Sequence, residues 1–261
     1  MRLAELEVAL PGLVPEFAGL RIAHLSDFHF GVPSPGIGAA WQAAVWARQR
    51  KPDLVAITGD LLTHPRGEPM LRRLVRVGTP AYERDIEVKH FLWMIAEGEG
   101  YDQLKQVAHK GLKGLKIAPF YGCQILRPSK IMGFEDPDRP WSLERIIEAC
   151  GGEAIDYPAK IKCCGFPIIQ AREETALGEL IQPIEQAMEA GADCMVTPCP
   201  LCHLSLDAWQ QKLEKATGRT FGMPILHLSQ LVGVAAGLEE SELRFKRHVV
   251  SVEPVVEKLQ A

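Results

Sequence analysis

The chain has 261 residues, 47% of them hydrophobic and 24% charged, with a net charge of −4. That length can bury one sizeable core or two small ones, and mild acidity gives no basic surface for nucleic acid or anionic membrane. No apolar run approaches the roughly 20 residues that span a bilayer, and no basic stretch leads into an apolar one at the N-terminus, so neither a transmembrane helix nor a secretory signal is expected. Seven cysteines in such a chain argue against a disulfide framework and for metal or redox chemistry in a reducing compartment, which makes the cytoplasm the expected location. Asparagine is absent although 12 glutamines are present, a bias seen where thermolabile amides are thinned.

In chain order, residues 20–60 predict a β-α-β unit. LRIAHLSD is a short apolar strand, residues 39–50 carry apolar side chains at helical spacing, and PDLVAITGD suits a strand buried on both faces. Strands joined this way run parallel and gather ligands beyond their carboxyl ends, where Asp27, His29 and Asp60 stand. Around residue 77 the character of the sequence changes. Residues 86–95 predict a short strand passing into an amphipathic helix, and LKGLKIAPFYGC is a strand running into Cys123. SLERIIEACGGEAIDY is a helix with a Gly-Gly stop and a short strand. ETALGELIQPIEQAMEAGADCMVTPCPLC repeats the theme with a long helix, a glycine stop, a buried strand and a cysteine turn. The fold class expected is α/β in two small units, an N-terminal β-α-β fragment over 1–76 and a domain with cysteine-bearing loops over 77–261.

Asp-x-His after one strand and Gly-Asp after the next resemble the opening of the calcineurin-like metallophosphoesterases. The resemblance implies a paired divalent-metal site (Mn, Fe or Zn) with Asp27 and His29 on one ion and Asp60 bridging two, a donor set suited to activating water. That family's next block, Gly-Asn-His, is missing because the chain has no asparagine, and its later Gly-His-x-His pair is missing too. His64, in the loop after Asp60, reads as a solvated histidine. The alternative function on this side of the chain is a divalent-metal phosphoesterase with an incomplete ligand set on a truncated β-α-β unit.

Five cysteines form one constellation: Cys123, the adjacent pair Cys163 and Cys164, then Cys199 and Cys202. Thirty-nine residues separate the first from the pair and 34 separate the pair from the last two. Thiol packing does not require such spacing, whereas a metal cluster drawing thiolates from three loops does. Three plainer readings compete: a four-cysteine zinc site from the pair and the CxxC, a redox dithiol at Cys199 and Cys202, and buried thiols without chemistry. Cys150 and Cys194, one at a helix end and one in a strand, read as structural, as do His203 and His227 beside the site.

YGC with RP after it, CCGFP, TPCPLC, LDxxQ and the PILHLSQLVGVAAGL helix together resemble the CCG domain over roughly residues 77–250. That domain occurs in the B subunit of heterodisulfide reductase and in iron–sulfur subunits of succinate and glycolate or lactate oxidoreductases. The resemblance implies a non-cubane [4Fe-4S] cluster on Cys123, Cys163, Cys164, Cys199 and Cys202. It also implies electron exchange with a flavin or ferredoxin-type partner, and a thiol/disulfide substrate. The heterodisulfide reductase protein carries two such motifs; no cysteine precedes Cys123 here, so the implied complement is one cluster, in a chain that joins pieces of two families near residue 77.

Overall fold

A computed structural model describes residue 5 and residues 18–26, 36–58 and 89–260. These fall into two compact units, the second beginning at Lys89. In the first, β1 (Ile22–Ser26) and β2 (Leu54–Thr58) pair in parallel, Ile22 opposite Leu54 and Ser26 opposite Thr58. Helix α1 (Gly36–Gln49) lies between them in sequence and buries a stripe of small residues, Ala40, Ala43 and Ala47, at the three- and four-residue spacing of one helix face. The Asp53 carboxylate accepts the Arg21 amide at 2.8 Å, tying the start of β2 to the start of β1. The expected β-α-β order is present, while Asp27, His29, Asp60 and His64 lie outside the described residues.

The second unit holds a parallel four-stranded sheet in the order β4-β3-β5-β6, formed by Lys116–Pro119 (β3), Glu153–Ala154 (β4), Cys194–Thr197 (β5) and Ile225–His227 (β6). Alternate residues point to opposite faces, so each central strand feeds two cores. Ile117, Val196 and Leu226 join one core, with Leu92 of α2 (Phe91–Ala96), Leu104 of α3 (Gly100–Val107) and Leu143, Ile146 and Ile147 of α5 (Ser142–Ala149). Ala118, Met195 and Ile225 join the other, with Leu180 and Ile184 of α6 (Glu173–Glu189) and Leu206 of α7 (Pro200–Ala208). Both sheet faces are therefore covered, which is why the strands lack polar alternation. The first core is closed by α9 (Leu228–Ala235), α10 (Glu240–Leu243) and α11 (Glu253–Gln260), and α8 (Gln210–Thr217) adds Leu213 to the second.

The α/β class is as expected. The short helix α4 (Ser129–Met132), α3, α8 and α11 were not foreseen, and the strand expected before α2 falls on residues outside the description. Among the described residues, no helix is long and apolar enough to cross a membrane.

Candidate functional site

The strand order places a crossing point between β3 and β5. From β3 the chain moves to β4 at one side, then returns past β3 to β5 and β6 on the other. At such a point adjacent loops leave the sheet in opposite directions and open a crevice beyond the carboxyl ends of the strands. Cys123 follows β3 and Cys199 follows β5. Cys163 and Cys164 follow β4 after a turn of 3-10 helix at Pro158–Ile161.

Each segment is bent into place by local chemistry. Gly122 has φ +70°, and a Cβ there would stand 2.7 Å from Cys202 Sγ, so the chain passes against that sulfur only because the residue is glycine. Gly165 has φ +74°, and its Cβ would meet the Ala176 carbonyl oxygen at 2.6 Å, which presses the Cys163–Cys164 turn onto α6. Cys199 is the N-cap of α7 and Pro200 its first residue, where the missing N–H costs nothing, so Cys202 sits on the helix's first turn. The Gly165 amide points at Cys163 Sγ at 3.3 Å, and the Cys199 amide at Thr197 Oγ1 at 3.4 Å.

The fold brings all five predicted cysteines together as free thiols. They form two contact groups, Cys123 with Cys163, and Cys202 with both Cys164 and Cys199. Cys164 lies near enough to Cys123 to act on its charge. Within the second group one thiol serves its neighbours. Cys202, with one S–H to offer to either neighbour, brings Cys199 down to about 6 and Cys164 to about 7 against the opposing effect of burial, and is itself pushed up by the same two neighbours. Cys123 is pushed up by burial first and then by its thiol neighbours. Ser205 Oγ on α7 is buried without a partner of full hydrogen-bond geometry, yet its hydroxyl is close enough to favour a Cys164 thiolate. Among the described residues, no group of three or more His, Cys, Asp or Glu side chains is placed to hold a single metal ion.

Cys150 and Cys194 stand apart. Cys150 caps α5 and Cys194 opens β5; both are buried in the first core, and burial lifts each to about 12. Their burial gives them the surroundings of structural thiols. His203 and His227 do flank the site and are structurally satisfied. His203 donates to the Ile225 carbonyl at 3.2 Å. His227 caps α9, its Nδ1 accepting the Ser229 amide while the ring also donates to the Pro198 carbonyl, one residue before Cys199.

Sequence reading missed the polar supports. Tyr121, within YGC, is buried; its hydroxyl accepts the Leu143 amide at 2.8 Å and donates to Glu144. Glu144 in turn accepts from Lys160 Nζ at 2.6 Å. A tyrosine two residues before a cysteine and a lysine three before the pair were the available signals, but only the fold sets them beside the start of α5. His248, also unforeseen, stacks edge-on against His203 at 5.0 Å.

Residues 117–207 match the model of the cysteine-rich domain CCG. This chain carries a CCG domain. It is also homologous to the B subunit of heterodisulfide reductase: it is 31% identical over 166 residues to the B subunit of the ferredoxin:CoB-CoM heterodisulfide reductase of Methanosarcina mazei, covering 63% of this chain and 55% of that one. The ferredoxin/F(420)H(2)-dependent counterpart of Methanosarcina acetivorans is 27% identical over 242 residues, covering 84% of this chain and 80% of that one. The 8-methylmenaquinol:fumarate reductase membrane anchor subunit of Wolinella succinogenes is 38% identical over 173 residues, with 66% of this chain and 60% of that one covered. The chain thus spans less than two thirds of the length of the first and third of these relatives. In overall fold it is similar to a hypothetical protein from Helicobacter pylori, with a TM-score of 0.52 at 14% identity, over 83% of this chain and 41% of that one. The CCG match begins in β3 and ends at Asp207, so it takes in all five cysteines of the site.

Proposed function

We propose that this chain is an iron–sulfur redox subunit. Cys123, Cys163, Cys164, Cys199 and Cys202 hold one non-cubane [4Fe-4S] cluster at the crevice between β3 and β5. The observation that carries the reading is the convergence of five unbridged thiols from three segments that follow neighbouring parallel strands. Five soft donors exceed the four that a structural zinc takes, and their division into two contact groups suits ligands shared among several iron atoms. When bound, such a cluster takes up and releases electrons at a potential set by its thiolates, by hydrogen bonds to sulfur and by burial. The chain's own contribution is to present the sulfurs, with Gly122 leaving room at Cys202, the N-cap position orienting Cys199, and the Ser205 hydroxyl supplying a donor beside Cys164.

The relatives' names support a place in a larger redox assembly. Electrons would pass between a flavin or ferredoxin-type iron–sulfur subunit and a thiol/disulfide or quinone-linked acceptor, with the protein in the cytoplasm. We read the chain as two pieces joined near residue 77, the CCG domain on the C-terminal side and a metallophosphoesterase-like β-α-β unit on the other.

Anaerobic purification with iron and sulfide analysis, and EPR after oxidation, tests the assignment. About four irons and four sulfides per chain are expected; near-zero iron with about one zinc sinks it. Cys163→Ser or Cys164→Ser abolishes the cluster signal, whereas Cys194→Ala keeps it. A signal that survives in both serine variants refutes the ligand set.

A further inference from the structure

Among the side chains just outside the cysteine site, one buried group joins two of its segments. Tyr121, Glu144 and Lys160 are that group. Tyr121 lies two residues before Cys123 on the segment after β3, Lys160 three residues before Cys163 on the turn after β4, and Glu144 on the first turn of α5 between them. The two cysteine segments touch directly through the Tyr121 amide, which donates to the Lys160 carbonyl at 2.9 Å. The side chains close a second loop around that bond. The Tyr121 hydroxyl donates to one oxygen of Glu144 and Lys160 Nζ donates to the other at 2.6 Å.

We propose that Glu144 is a positioning residue that clamps the Cys123 segment to the Cys163 segment and so sets the gap between those two thiols.

Burial makes this clamp stiffer than a surface pair. The Lys160 and Glu144 side chains are 15% and 17% exposed, whereas Asp156, the other acceptor on Lys160, is 86% exposed and belongs to neither cysteine segment's link to α5. Tyr121 is 1% exposed, and burial and then the Glu144 charge keep its phenol protonated, so it remains a donor. Burial opposes the Lys160 charge, but the bonds to Asp156 and Glu144 outweigh it and the ammonium is held protonated. The anchor itself is fixed, because the Tyr121 hydroxyl also accepts the Leu143 amide at 2.8 Å, one of the helix donors with no partner inside the helix. Arg127 adds a weaker tie in parallel, its Nη1 donating to the Ile161 carbonyl at 3.4 Å. Cys199 and Cys202 do not depend on the clamp, since the N-cap and first turn of α7 place them.

The consequence for a cluster rests on the five-thiolate reading, but the thiol gap is measurable without iron. The full chain, free of metal, is treated with dibromobimane, which joins only neighbouring thiols, and the bridged peptides are read by mass spectrometry. The parent gives Cys123–Cys163 and Cys199–Cys202 bridges. Glu144→Ala should lower the first relative to the second by roughly tenfold, the ratio matching loss of one hydrogen bond to a charged group. Glu144→Gln should restore part of it, and Lys160→Met, which cuts the clamp from the other side, should reproduce the selective loss. Equal bridging in all variants, or a joint fall of both bridges, overturns the proposal. After reconstitution, Glu144→Ala should shift the EPR spectrum at unchanged iron content, and a spectrum identical to the parent's also overturns it. A parent that takes up no iron sinks the cluster reading while leaving the bridging result in force.

Discussion

Gly165 shows how much of the site depends on a missing atom. Its φ of +74° already suits glycine, and an added Cβ would lie 2.6 Å from the carbonyl oxygen and 3.0 Å from the Cα of Ala176, backbone atoms that cannot swing aside. Gly165→Ala therefore costs about 1–2 kcal/mol for the left-handed backbone alone and more for the overlap. The melting temperature should fall by about 2–4 °C per kcal/mol, and iron content should fall with it. An unchanged melting temperature and full iron loading would show that the turn does not bear on α6. A glycine after two adjacent cysteines is legible in sequence as relief of crowding behind them. Gly122 is not legible in that way, because the sulfur it makes room for belongs to Cys202, on another segment. Pairwise reasons between distant residues appear only once the chain has folded.

At the scale of elements, long apolar pieces are readable and short or polar ones are not. The Gly-Gly stop after α5, the helix α6 and the buried strand β5 follow from periodicity and breakers alone. Helices α4 and α10, four residues each, are too short to show a period. The LDxxQ motif illustrates a subtler limit: its residues stand out in sequence, but what they do does not. Asp207, at the end of α7, is buried and accepts the amides of Val249 and Val250 at 2.8 and 2.9 Å. Gln210, on α8, donates to the Leu206 and Met223 carbonyls and accepts the Met223 amide at 2.9 Å. Both pin irregular chain to the helices that follow the CxxC. Asp207→Ala leaves two amides without their charged acceptor and should lower unfolding stability by about 3 kcal/mol in urea titration, with Asp207→Asn losing less because one oxygen remains. Equal stability of Asp207→Ala and the parent would place the anchor elsewhere.

For the whole molecule, sequence gives the alternation of strands and helices but not the strand order, and the order is what creates the crevice. Nothing local says that β5 pairs with β3 across from β4; long-range packing of two covered faces decides it. The same packing has a cost in pH tolerance. His90, His203, His227 and His248 are all pushed below 6.5, burial being the largest cause in each case, and His203 reaches about 4. For His203 and His248 the Asp207 charge works the other way but does not outweigh burial. The folded chain keeps these rings neutral where the unfolded chain would protonate them. Stability is therefore complete above about pH 6.5 and falls as pH drops from there toward the lowered folded values. His248 makes the effect local, since its Nε2 lies 2.9 Å from Gln230 Nε2 and accepts that donor only while the ring is neutral. Protonation would set two donors against each other beside the cap of α9. Thermal unfolding at pH 7, 6 and 5 and constant ionic strength should show the midpoint falling with pH, and His248→Gln, which cannot take up the proton, should show a shallower fall. An equal slope in the variant would mean that the acid sensitivity resides in the carboxylates rather than in the buried histidines.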